Sequence, residues 1–83
     1  MIPISINEFA KSYVRHNQGE DLTEVKTRLK EAVRRKKAGA RCVVCGAPIW
    51  AIGSAIVFDG CFTCITGESD HSEDYEIDEV CDI

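Results

Sequence analysis

Four of the five cysteines fall into two Cys-x-x-Cys pairs, Cys42-Val43-Val44-Cys45 and Cys61-Phe62-Thr63-Cys64, with fifteen residues between them. A two-residue gap lets the chain turn back so that both sulfurs of a pair reach one ion at about 2.3 Å, and each pair then supplies half of a tetrahedron. Gly46, directly after Cys45, permits the tight backbone that turns amides toward the thiolates. The chemistry this pattern supports is metal ligation by Cys42, Cys45, Cys61 and Cys64, with Zn2+ as the expected cofactor. Iron takes the same soft, tetrahedral ligand set. Four sulfurs leave no coordination position open, so such a site is structural and not catalytic. A thioredoxin-type redox role needs one exposed Cys-x-x-Cys opening a helix, whereas two matched pairs point to joint use. His71 and Cys81, seven and seventeen residues beyond Cys64, are further candidate ligands; their simpler readings are an exposed residue in an acidic run and a spare thiol.

The elements that must position these cysteines are legible to different degrees. Ser5 with Glu8 three residues on is a capping-box signature, and Ile6, Phe9, Ala10, Tyr13 and Val14 recur at helical spacing, which predicts a helix over 6–16 stopped by Asn17-Gln18-Gly19. Asp21 with Glu24 repeats the signal, and Leu22, Val25, Leu29, Ala32 and Val33 predict a second helix over 22–37 ending near Gly39. On its solvent side Lys26, Lys30, Arg34 and Lys37 form one row, a candidate partner-binding surface as well as an ordinary solvated face. From Arg41 to Phe58 the residues Val43, Val44, Ile49, Trp50, Ile52, Ile56, Val57 and Phe58 favour extended structure, broken at Gly46-Ala47-Pro48 and Gly53-Ser54, and predict a short β-hairpin. The remainder is acidic, with a single edge strand near Tyr75 to Ile77 or disorder as the alternatives.

At 83 residues the chain has room for one small domain and sits near the limit where a hydrophobic core alone suffices, so a metal staple is in keeping with its size. The net charge of −4 hides a split: residues 1–41 hold all ten Lys and Arg beside five acids, a count of +5, whereas residues 42–83 hold nine acids and no base. The opening Met-Ile-Pro-Ile-Ser-Ile-Asn-Glu lacks the basic and apolar regions of a signal peptide, so a cytoplasmic protein is expected, where reducing conditions favour metal ligation over disulfides. The longest uncharged run, Cys42 to Phe58, contains Gly46, Pro48 and Gly53 and makes a poor membrane span. No phosphate loop and no paired acid and base with a pocket are visible, and the thiols are claimed by metal, so a non-enzyme is expected.

The stretch from Glu31 to Gly39, leading into Cys42-Val43-Val44-Cys45-Gly46-Ala47-Pro48-Ile49 and then Cys61-Phe62-Thr63-Cys64, resembles the zinc finger of the DksA/TraR family over about 35 residues. In that family a helix ending in Gly runs into Cys-x-x-Cys-Gly-x-Pro-Ile, and a second Cys-x-x-Cys follows. The resemblance implies a bacterial or bacteriophage protein whose zinc module and flanking helices dock on RNA polymerase, with Cys42, Cys45, Cys61 and Cys64 as the zinc ligands. The expected fold is a small α+β zinc-bound domain: a helical segment over 1–39, a four-cysteine zinc ribbon with its hairpin over 40–67, and an acidic tail over 68–83. The expected function is a zinc-binding interaction protein that regulates transcription on RNA polymerase or another nucleic-acid enzyme. Three other readings compete. Direct nucleic-acid binding would use the basic row, although the acidic half repels phosphate. An acidic inhibitor would use Glu68, Asp70, Glu73, Asp74, Glu76, Asp78, Glu79 and Asp82 as a nucleic-acid mimic, unless the strip folds back on the basic helix. A homodimer would pair the apolar segment Ile49 to Phe58 around an exposed Trp50.

Overall fold

The structure, a computed structural model, describes residues 1–81; Asp82 and Ile83, counted above with the acidic tail, lie outside the described residues. Both predicted helices form at their predicted bounds, α1 over Ile6–His16 and α2 over Leu22–Lys37. The caps are those the sequence signals: Ser5 Oγ accepts from the Glu8 N–H at 3.0 Å and Asp21 Oδ2 from the Glu24 N–H at 3.1 Å, each worth about 1 kcal/mol. Ala10 on α1 and Val25, Leu29, Ala32 and Val33 on α2 are buried in one core, with Ile6, Phe9, Tyr13 and Val14 packed around it.

Two short strands complete this layer. Strand β1 (Ile2–Ile4) pairs in parallel with β2 (Tyr75–Ile77), Ile2 opposite Tyr75 and Ile4 opposite Ile77, so the two extremities of the described chain lie side by side. The predicted edge strand is therefore present, and a 3-10 turn over Asp78–Val80 follows it. Ile77 is fully buried in the core, and so, unlike the rest of the acidic run, is Glu76.

The hairpin predicted between Ile49 and Phe58 does not form. In its place stands α3 (Ala51–Ile56), with only an isolated antiparallel bridge between Arg41 and Pro48. Tertiary packing overrides the strand preference of this apolar run, because Ala51, Ile52, Gly53 and Ser54 are all buried, and a short fully buried run carries no periodicity that separates helix from strand. The small side chains of Ala51, Gly53 and Ser54 let α3 lie close against its neighbours. An added Cβ at Gly53 would stand 2.5 Å from Trp50 Cε3 and 2.6 Å from Ile65 Cδ1. Trp50 is correspondingly half-buried and not an exposed dimer contact: its indole N–H donates to the Tyr75 carbonyl at 2.8 Å, and its ring meets Phe62 edge-on at 5.0 Å. Among the described residues no helix is long and apolar enough to cross a membrane.

The basic end of α2 divides its charges by direction. Lys36, on the core face, donates to Glu76 Oε2 at 2.7 Å; Arg35 reaches Asp59 Oδ1 at 3.0 Å; Lys37 reaches Glu79 Oε1 at 3.3 Å. Glu76 is the centre of this clasp. Its Oε2 also accepts from the Ala51 N–H at 3.0 Å, satisfying an otherwise orphaned donor at the start of α3, and its Oε1 accepts from the Ile77 N–H at 2.9 Å.

Candidate metal centre

The four cysteine sulfurs converge. Sγ of Cys42, Cys45, Cys61 and Cys64 all lie within 4.8 Å of one another, and Cys45 and Cys61 are 3.5 Å apart. Four thiolates around zinc at about 2.3 Å have tetrahedral edges of about 3.8 Å, so the cluster fits the ion with only small adjustments. Neither His71 nor Cys81 belongs to it: His71 packs edge-on against Phe62, and the Cys81 thiol points at the Met1 carbonyl at 3.6 Å.

Each pair is shaped by a different local device. The first is a knuckle between Arg41 and Pro48, closed by the Gly46 N–H to the Cys42 carbonyl at 2.9 Å and the Cys42 N–H to the Ala47 carbonyl at 2.6 Å. Gly46 takes φ +80°, where a Cβ is strained, which is why the residue after this pair is glycine. The second pair opens α4 (Phe62–Thr66), a helix absent from the sequence reading. Cys61 is its N-cap, with Sγ accepting from the Cys64 N–H at 3.4 Å.

Backbone pins hold the two devices together. The Val43 N–H donates to the Asp59 carbonyl at 3.0 Å, the Trp50 N–H to the Gly60 carbonyl at 2.8 Å, and Ser54 Oγ exchanges hydrogen bonds of 3.3 Å with both the carbonyl and the N–H of Gly60. The Arg35 guanidinium anchors Asp59 from α2 and also reaches the Ser54 carbonyl at 3.4 Å. The apolar spacer is therefore what presents the second cysteine pair to the first.

The electrostatics of four adjacent thiols follow from this geometry. Backbone N–H groups, foremost that of Cys45, hold Cys42 down to about 6 against an ordinary 9.0, with burial opposing them. The Cys64 N–H likewise lowers Cys61. Cys64 is pushed up to about 12, chiefly by the neighbouring Cys61 sulfur and then by Cys42 and Cys45, since clustered sulfurs cannot all carry charge without a cation among them. A divalent metal held by Cys42, Cys45, Cys61 and Cys64 would remove that conflict, its charge favouring the thiolate form of all four.

Of the basic row, Lys30, Arg34 and Lys37 are exposed and line one groove on α2 together with Ile6, Val33 and Glu79, whereas Lys26 is half-buried. The exposure of Val43 and Val44 was not foreseen from the sequence, which offered Val57 and Phe58 only as part of a candidate dimer segment. Val43 and Val44, at the tip of the knuckle, are 72% and 68% exposed; Val57 and Phe58, which directly precede the Asp59 whose carbonyl accepts from the Val43 N–H, are 61% and 37% exposed. The signal was available, because the two intervening residues of a Cys-x-x-Cys knuckle project away from the ion that the cysteines face.

Fold and cluster together define a small α+β protein with four helices and a two-stranded parallel sheet among the described residues, carrying a four-cysteine site suited to zinc. No family model, no curated protein and no solved structure matches the chain.

Proposed function

We propose that this chain is a zinc-binding, non-enzymatic interaction protein that docks through its metal module on RNA polymerase or another nucleic-acid machine of the cytoplasm. The observation that carries this reading is the exposed apolar pair Val43 and Val44 at the tip of a knuckle whose shape the metal would hold, with Val57 and Phe58 also exposed on the spacer. Apolar side chains clustered in solvent mark contact sites, and a surface rigidified before binding loses little entropy on association. The bound ion would be held by all four thiolates and would supply structure, with no ligand position open for chemistry. The resemblance to the DksA/TraR finger supports polymerase as the partner, since α2 runs through Gly39 into the knuckle as that pattern requires. The acidic-mimic reading is weaker, because Glu76 and Glu79 are paired with lysines of the same chain.

The test is affinity capture from host lysate with and without nuclease, comparing the zinc-loaded wild type with a Val43→Asp/Val44→Asp variant of equal zinc content. Polymerase retained after nuclease treatment and lost from the variant is the expected result. A wild type that retains no polymerase sinks the polymerase assignment, and retention of a nucleic acid alone favours direct binding.

A further inference from the structure

The groove on α2 is formed by Ile6 at the start of α1, by Lys30, Val33, Arg34 and Lys37, and by Glu79 of the 3-10 turn, and it encloses about 250 Å³. Its floor is apolar, with Val33 only 4% exposed, and its rim carries three cations against a single carboxylate. That carboxylate belongs to the chain itself: Glu79 meets Lys37 at 3.3 Å, while Lys30 and Arg34 have no ion-pair partner among the described residues. The next residue, Val80, packs against the core, so the segment seated here is a carboxylate followed by a branched apolar side chain.

Two carboxylates three positions apart meet α2 in opposite ways. Glu76 has a side chain 1% exposed and accepts three hydrogen bonds, so it cannot leave without stranding Lys36 and the Ala51 N–H. Glu79 and Lys37 have side chains 49% and 56% exposed, and an ion pair that open is worth little and is readily exchanged. The fold thus keeps one carboxylate as a staple and rests the other in an open ion pair beside a groove whose Lys30 and Arg34 are in no ion pair among the described residues.

We propose that this groove is a docking site for a short acidic peptide segment of a partner protein, an acidic residue beside a branched apolar one, and that Glu79 is its displaceable intramolecular stand-in. The proposal rests on reading the chain as an interaction protein and names the chemistry its basic row recognises. Charge complementarity supports a carboxylate ligand, the resident group showing that one fits. An extended phosphate backbone is disfavoured, because Glu79 itself lines the groove and residues 42–83 hold nine acids and no base, which repel a polyanion that runs beyond it. A short segment needs to displace only the turn.

The test is a nitrogen-15 NMR titration of the zinc-loaded full chain with the capped peptide Ile-Asp-Glu-Val, which copies residues 77–80, and with its uncharged counterpart Ile-Asn-Gln-Val. The expected result is amide shifts confined to Lys30, Val33, Arg34, Lys37 and Glu79 with the acidic peptide alone. Glu79→Gln removes the resident competitor and tightens binding about two- to five-fold, the value of an exposed ion pair. Lys30→Gln/Arg34→Gln weakens binding at least about threefold, and both variants keep the wild-type spectrum outside the groove. Equal binding of the two peptides, unchanged affinity in Glu79→Gln, or stronger shifts at the same amides with a thymidine hexanucleotide each overturns the proposal. Peptide binding without polymerase capture leaves the groove standing and removes the polymerase reading. Capture that is unaffected by Lys30→Gln/Arg34→Gln, with no peptide binding, does the reverse.

Discussion

The two ends of this molecule are held together by different means. At one end Ala10, Val25, Leu29, Ala32, Val33, Ala51, Ile52 and Ile77 interlock with no more than 4% exposure, and cohesion comes from apolar area removed from water. At the other end Cys42, Ile49 and Phe62 are buried, but Cys45 is exposed and Val43 and Val44 stand in solvent, so four sulfurs on one ion would add what burial there does not supply. Helix α3 belongs to both, since it lies in the spacer between the cysteine pairs and buries four residues at the core end. A bound ion would let so small a chain leave Val43 and Val44 in solvent, because it would take over the structural role that burial plays at the other end.

Removing the metal is the sharpest way to separate the ends. Chelation, or Cys61→Ser, is expected to abolish stoichiometric zinc binding and to collapse NMR dispersion over 42–48 and 61–66, while α1 and α2 keep their helical signal. Structural zinc contributes about 10–16 kcal/mol in isolated finger peptides, and the share expressed here is smaller because α3 is also held by the core. Zinc retained at full stoichiometry by Cys61→Ser would show that another ligand completes the site. Acid should do the same as chelation, since thiolates bind the ion and protons compete for them, so zinc is lost as pH falls. In the metal-free chain the signs diverge. Cys42, lowered to about 6, contributes stability that is complete above 9.0 and lost as pH falls through 6; Cys64, raised to about 12, contributes stability complete below 9.0 and lost as pH rises through 12. Urea midpoints across pH, with and without zinc, check both.

At the core end the largest effect belongs to the buried clasp. Glu76→Leu should cost about 3–5 kcal/mol in urea unfolding, because it leaves Lys36 and the Ala51 N–H without partners. Lys36→Met/Glu76→Leu should recover much of that loss. A cost below about 1 kcal/mol for the single change would mean that Glu76 is no staple. Gly53→Ala, which drives a methyl into Trp50 and Ile65 at the junction of the two ends, should cost about 1–3 kcal/mol and lower the thermal midpoint with and without zinc alike. The smallest effect is expected from Arg35→Gln: its pair with Asp59 is about one-third exposed on each side, and the loss should stay near or below about 1 kcal/mol. A larger loss that vanishes on chelation would tie Arg35 to the positioning of the second cysteine pair.

The parts legible in the sequence were those whose causes are local. Ser5 with Glu8, Asp21 with Glu24 and the periodic apolar residues marked both helices to the residue, because a cap and its stripe lie within a few positions of each other. The four cysteines were legible for the same reason, each pair being a single turn. Helix α3 was not, since Trp50 to Val57 favours strand on propensity and only α2, β2 and the Glu76 carboxylate make it helical. Strand β1 gave no signal in three residues, and its partner lies more than seventy positions away. Glu76, in an acidic run flanked by Tyr75 and Ile77, reads as a solvent-facing residue; its burial depends on Lys36 arriving from forty residues upstream.

By itself, then, the sequence determined the two long helices, the ligand set and the split of charge between the halves, all of them set by residue type and short spacing. Only the tertiary structure decided which of the α2 cations face solvent, that Glu76 is spent inside the fold while Glu79 rests at its edge, and that the spacer between the cysteine pairs is a helix in the core. Those outcomes turn on which segments meet after the chain closes, and the energy of a buried charge or a buried apolar run is set by what it meets.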